Sequence, residues 1–189
     1  MANEMSPSRS LHAQADSFEN TWPLGQSTVQ SNEGARTEAP SALALGSYHL
    51  LAQAHRLSTG HVTERQLTVI LGMTACELYT EYALTTLLRE KSPPAPSMFL
   101  DLIGPPMTLA RSQIQVIYAW LTDDHPWGNG NLNLPPAPWW RDWIASSVLR
   151  ENVSRVSAPV SAAAAALCYK SSVSYLAHMA DMVLRSTSA

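Results

Sequence analysis

Two stretches of this chain gather side chains that could do chemistry. The first, TACELYTEYALTTLL, carries Glu77 and Glu81 one helical turn apart. The second, VLRENVSRVS, carries Arg150, Glu151, Ser154 and Arg155. A guanidinium offers a planar fork of donors that suits a phosphate or a carboxylate, and it stays protonated at physiological pH. On a helix Glu77 and Glu81 share a face with Ile70, Met73, Leu84 and Leu88. Acids in an apolar stripe are costly unless paired or hydrogen-bonded. A cation from another helix is therefore expected against one of them, and Arg111, Arg150 and Arg155 are the candidates. Such a meeting is either a polar core site or a strut that fixes helix register, and the strut is the favoured reading. Glu151 and Arg155 stand at i,i+4 with the acid first. That is the favourable order for an ordinary exposed helical pair, about 0.2–0.5 kcal/mol.

Other chemistries find little footing. The histidines are His12, His49, His55, His61, His125 and His178, with no HExxH and no i,i+4 pair on one helix, so no metal site is expected. Gly128-Asn129-Gly130 lacks both a preceding strand and a following Gly-Lys-Ser/Thr, so it is a loop and not a phosphate cradle. No Gly-x-Ser-x-Gly elbow occurs. Cys76 and Cys168 sit in apolar helical runs and read as reduced core thiols. With a net charge of −3, no global positive field advertises nucleic acid, and RNA contact would need a local patch. The start MANEMSPSRS has no apolar core of signal-peptide length, and no run is long enough to span a membrane. A cytoplasmic protein without membrane contact is the expectation.

The elements that must position these residues are helices. Residues 1–40 read as a disordered or loosely docked tail, polar and without period, with Phe18 and Trp22-Pro23-Leu24 as an apolar island. Residues 41–189 read as one all-α domain, a bundle of about five helices. Ser41 is the expected N-cap of the first helix and Gly60 its C-terminal cap. The second helix should open with a Thr63/Gln66 capping box, run to Lys91 and stop at Ser92-Pro93-Pro94. It is apolar nearly all round, which places it at the centre of the bundle. MFLDLIG reads as a short helical turn. PPMTLARSQIQVIYAWLTDD reads as the third helix, with its stripe at Met107, Ala110, Ile114, Ile117, Tyr118 and Leu121. DHPWGNGNLNLPPAP is a long loop. WWRDWIASSVLRENVSRV is the fourth helix, with Trp139, Trp143, Ser147, Arg150 and Ser154 on one side. The fifth restarts at Ser157 and turns inward Ala165, Tyr169, Val173, Leu176, Ala180 and Val183. Its run Ala162–Ala166 should let a neighbour approach closely.

Taken in order, TACELYTEYALTTLL, IQVIYAWLTDD, PPAPWWRDW and LRENVSRVSAPVSAAAAAL resemble the HEPN superfamily, and more narrowly its small bacterial members. The likeness spans about residues 62–185. It implies a helix with a buried acid, a helix ending in a Leu-Thr-Gly-Asp-like turn, a Trp-led helix ending in an Arg-Asn-x-x-x-His block, and an Ala-rich helix. It also implies a homodimer whose two Arg/His blocks form one metal-independent, cofactor-free RNA-cleaving site. There the His moves a proton and the Arg holds the scissile phosphate. Arg150 matches the Arg. Glu151 stands at the polar position, usually Asn. Arg155 stands where the His belongs, and arginine is a poor proton shuttle. The literal Arg-x4-His spacing of Arg56 to His61 straddles a helix end and reads as coincidence.

Three functions follow. The first is a catalytically degenerate HEPN-like bundle, antitoxin- or sensor-like, that binds RNA or a protein partner through Arg150, Arg155 and Ser154. The second is an active ribonuclease that borrows His125 or His178 as its shuttle. The third is an interaction or scaffold protein with Trp127, Trp139 and Trp140 as anchors.

Overall fold

The computed structural model describes residues 39–91 and 103–187. Among the described residues are five α-helices and no strand: α1 (Ala39–Leu57), α2 (Val62–Lys91), α3 (Ser112–Thr122), α4 (Trp140–Val156) and α5 (Ala162–Thr187). The all-helical expectation holds. The tail at 1–40, with its Phe18–Leu24 island, lies outside the described residues except for Ala39 and Pro40, which already belong to α1. Ser41 is therefore inside α1 and is not its N-cap. Most of the expected turn at 98–104 is also outside the described residues.

The turn between α1 and α2 is built differently from the expected cap and box. Ser58 Oγ donates to the His55 carbonyl at 2.7 Å, and Gly60 N–H to Leu57 at 3.1 Å. The side chain that caps α2 is Glu64, whose Oε2 accepts the His61 N–H at 2.6 Å. It supplies the third-position half of a capping box, two residues ahead of the expected one. Gly60 serves by its lack of a side chain: a Cβ there would lie 1.8 Å from Glu64 Oε2. Gln66 instead reaches the end of α4, donating to the carbonyls of Ser157 and Ala158, both at 2.9 Å.

The third helix is shorter than the pattern suggested. Residues 105–111 are not helical, and α3 begins at Ser112. Pro106 and the Arg111 guanidinium explain the difference. Arg111 donates to the carbonyls of Gly104 (2.7 Å), Pro106 (3.1 Å) and Ile103 (3.2 Å), so a looped backbone wraps around its side chain. The fifth helix also starts late. Ser157, at φ 51°, ends α4 with its N–H on the Val153 carbonyl, and Ser161 caps α5 by accepting the Ala164 N–H at 3.1 Å.

Helix α2 packs against α1, α3, α4 and α5, as a helix apolar on most of its surface must. Val69, Met73, Cys76, Leu84 and Leu87 are buried along it. Helix α5 lies tight against α2 at Gly72, where a Cβ would stand 3.1 Å from Ser172 Oγ. Of the alanine run, Ala165 is buried and Ala164 packs against the core, while Ala162, Ala163 and Ala166 are exposed. The inward face of α5 is Cys168, Ser171, Ser172, Tyr175, Leu176, Met179 and Val183, while Val173 points to solvent. Hydropathy favours the larger apolar face. The close contact with α2 and α4 favours serine, because its small side chain allows helix backbones to approach. The core is thus threaded by hydroxyls, some of them paired: Thr80 Oγ1 with Tyr175 Oη at 2.5 Å, and Ser146 Oγ with Ser171 Oγ at 3.3 Å. Trp143 stacks on Tyr175 with ring centroids 4.6 Å apart, and this pair ties α4 to α5.

Candidate functional site

The end of α4 lies over the middle of α2, and between them opens a groove of about 370 Å³. Glu77 of α2, Thr108 of the looped segment, and Ser147, Arg150, Ser154 and Arg155 of α4 line it. Two helices explain the meeting. The α4 side that carries Trp143 into the core carries Ser147, Arg150 and Ser154 one, two and three turns further on. Arg150 donates from Nη1 to Glu77 Oε1 in a salt bridge whose side chains are 31% and 16% exposed. Of the three cations expected to meet the α2 acids, Arg150 is the one. Arg111 is taken up by the carbonyls around it. Glu81, half-buried, makes no ion pair among the described residues.

One turn on, Arg155 Nη2 and Glu151 Oε1 are 2.6 Å apart, with side chains 75% and 56% exposed. This is the ordinary i,i+4 surface pair the spacing suggested. Within the groove the two guanidiniums therefore face two carboxylates, and the lining is electrically balanced. An entering anion must compete with Glu77 for Arg150 and with Glu151 for Arg155. The Thr108, Ser147 and Ser154 hydroxyls are further donors for its oxygens. Among the described residues no histidine lines the groove.

The histidines named as alternative shuttles are engaged elsewhere. His178 of α5 bonds through Nε2 to Asp124 Oδ2 at 2.7 Å, while Tyr118 Oη donates to the same oxygen at 2.8 Å. The Trp139 ring lies 5.2 Å from the His178 ring. Burial pushes the Asp124 carboxyl up, but the bonds from His178 and Tyr118 and the charge of His178 outweigh it and hold the group below the usual carboxylate range. Tyr118 moves up, through burial first and then the Asp124 charge. His125 packs edge-on to Trp127, ring centroids 5.6 Å apart. The sequence reading missed this Tyr118–Asp124–His178 cluster. Its signal was present: an acid just past the end of one helix, and a histidine on the polar side of another.

The tryptophans are also sorted differently. Trp127, Trp139 and Trp140, the anchors of the third reading, are partly buried: Trp139 and Trp140 pack on fully buried Trp143, and Trp127 packs on Trp140. Among the described tryptophans Trp120 of α3 is the exposed one at 61%, with Val116 one turn before it at 69%. Both lie off the Ile114, Ile117, Tyr118, Leu121 stripe. Lys91 Nζ sits 5.9 Å from the centre of the Trp120 ring.

Among the described residues no group of three or more His, Cys, Asp or Glu side chains is placed to hold a metal ion. No described helix is long and apolar enough to cross a membrane. Cys76 and Cys168 are both buried and free, and burial pushes the Cys76 thiol up to about 12. No protein-family model, no curated protein and no solved structure matches the chain.

Proposed function

We propose that the protein is a HEPN-like helical bundle without acid–base catalysis, a binding component of antitoxin or sensor type. It holds anionic oxygens at Arg150, Arg155 and Ser154. The oxygens belong to an RNA phosphate or to an acidic group of a protein partner. One observation carries the reading: Arg150 and Arg155 line one groove together, and among the described residues its lining includes hydroxyls and no imidazole. Guanidiniums can clasp a phosphate there, and the two carboxylates of the lining, Glu77 and Glu151, are held in ion pairs with those guanidiniums. The Glu77–Arg150 pair supports the resemblance as well, since that family places an acid inside the preceding long helix. A homodimer in a reducing cytoplasm, with the α4 ends brought together, completes the proposal.

Titration of labelled single-stranded RNA with the wild type, Arg150→Ala and Arg155→Ala tests it. RNA binding at the groove predicts an affinity that falls as salt rises and a smaller salt slope in each variant. RNA affinity absent at low salt removes RNA as the partner and leaves the protein arm. A partner protein whose binding survives both substitutions removes the groove.

A second reading is a helical interaction protein that uses α3. It rests on the exposure of Trp120 and Val116, because an exposed tryptophan is a favoured anchor in a partner pocket. Trp120→Ala would then abolish partner binding while leaving the thermal midpoint unchanged.

A further inference from the structure

Between the short 3-10 turn Gly130–Leu132 and α4 the chain reads Leu134-Pro135-Pro136-Ala137-Pro138. Proline fixes its own φ near the polyproline II value and drives the preceding residue to extended backbone. Leu134, Pro135 and Ala137 each precede a proline, and Pro136 is one. Local sterics alone therefore favour an extended segment. The fold then anchors it at both ends. Leu134 exchanges backbone bonds with Asn129 at 2.9 and 3.0 Å, and Ala137 donates to the Pro126 carbonyl at 2.9 Å. Gly128, at φ +85°, allows the close passage of this backbone, for a Cβ there would stand 3.0 Å from Leu134 O and from the Pro136 ring. Every N–H that the segment possesses is thereby used.

What is left faces outward. Pro135, Pro136 and Pro138 are exposed, and Leu132 and Leu134 are 59% and 47% exposed. The Pro135 and Pro136 carbonyls accept no hydrogen bond among the described residues. The segment borders an open hollow of about 520 Å³ that Trp140 and Arg141 also line. Arg141 is exposed and makes no ion pair among the described residues. Asp142, half-buried, lies on the same rim in the first turn of α4, where the helix dipole favours an acid.

The geometry points to a ligand ridge for a polyproline-reading protein: a domain with an aromatic-lined groove and an acid at its rim. A polyproline II segment repeats every three residues, so Pro135 and Pro138 share one edge. That edge fits between aromatic side chains, and the free Pro135 and Pro136 carbonyls accept hydrogen bonds from the groove. Because the ridge is already anchored at both ends by backbone bonds, docking costs little further ordering. Arg141 meets the partner's acid. This surface is independent of the α2/α4 groove.

Titration of the full chain into purified SH3, WW and EVH1 domains, followed by chemical shifts of the labelled domain, tests the inference. At least one of the three classes is expected to bind, with shifts confined to its aromatic groove. The combined Pro135→Ala and Pro138→Ala substitutions should weaken that binding about tenfold or more. Arg141→Glu, a surface change that leaves the ridge backbone alone, should weaken it in a salt-dependent way. No binding to any of the three classes overturns the inference. So does binding that Arg141→Glu leaves unaltered, whether or not the proline variant folds.

Discussion

At the scale of single residues, the Arg150–Glu77 pair decides what the groove can do. Its partners are neither open to water nor sealed from it, at 31% and 16% exposure. Removing one partner strands the other in a half-dry site. Glu77→Ala or Arg150→Ala should therefore cost about 1–3 kcal/mol, between the values for surface and buried pairs. A double-mutant cycle read by denaturant unfolding checks this, and the double variant should lose less than the sum of the singles. Arg155→Ala, by contrast, removes an exposed pair and should change stability by less than about 0.5 kcal/mol. The thiols give a separate check on the core. Cys76 is buried with its pKa pushed up to about 12, so it stays protonated across the physiological range. Neither cysteine should react with a thiol reagent in the native protein, and both should react once it is unfolded.

At the scale of elements, the interest lies in how helices end and how the long loop is pinned. Ser161→Ala removes the only side chain seen capping α5 and should lower stability by about 0.5–2 kcal/mol in chemical unfolding. The loop after α3 is held to α5 by Asp124, which accepts from both His178 and Tyr118. Because the Asp124 carboxyl is held below the usual range, this contact stabilises the fold fully above that range. The contribution disappears as pH falls through the lowered value. The thermal midpoint should fall on acidification below about pH 4. Asp124→Asn should lower the midpoint at neutral pH and flatten that fall. These ends are also where the sequence was hardest to read. Periodicity located α2 and its central place, because twelve of its residues are buried and most of those are apolar. It misplaced the starts of α3 and α5, because those boundaries are decided by side-chain bonds to nearby backbone. Arg111 wraps a loop that hydropathy reads as helix, and Ser161 caps where Ser157 looks equally suited. The inward serines of α5 were unreadable for a related reason: they are favoured by the closeness of α2 and α4, which no single helix records.

For the whole molecule, the acid–arginine meeting was legible because a carboxylate in an apolar stripe demands a cation, and few cations were on offer. Which arginine answered depended on the crossing of α2 and α4, which the sequence leaves open. Ser147 and Ser154 follow Arg150 on the same side of α4, whereas the Thr108 hydroxyl beside it and the engagement of His178 by Asp124 arise only from packing. The proposed homodimer predicts a sedimentation mass of two chains at micromolar concentration. The balanced charge of the groove predicts weak, salt-sensitive RNA contact and no diffuse nucleic-acid binding. The most direct test of the central claim is an RNA-cleavage assay on purified wild type beside Arg150→Ala, at concentrations where the dimer is formed. A lining with guanidiniums and no imidazole predicts no cleavage above background from either protein. Cleavage by the wild type that Arg150→Ala abolishes would contradict it.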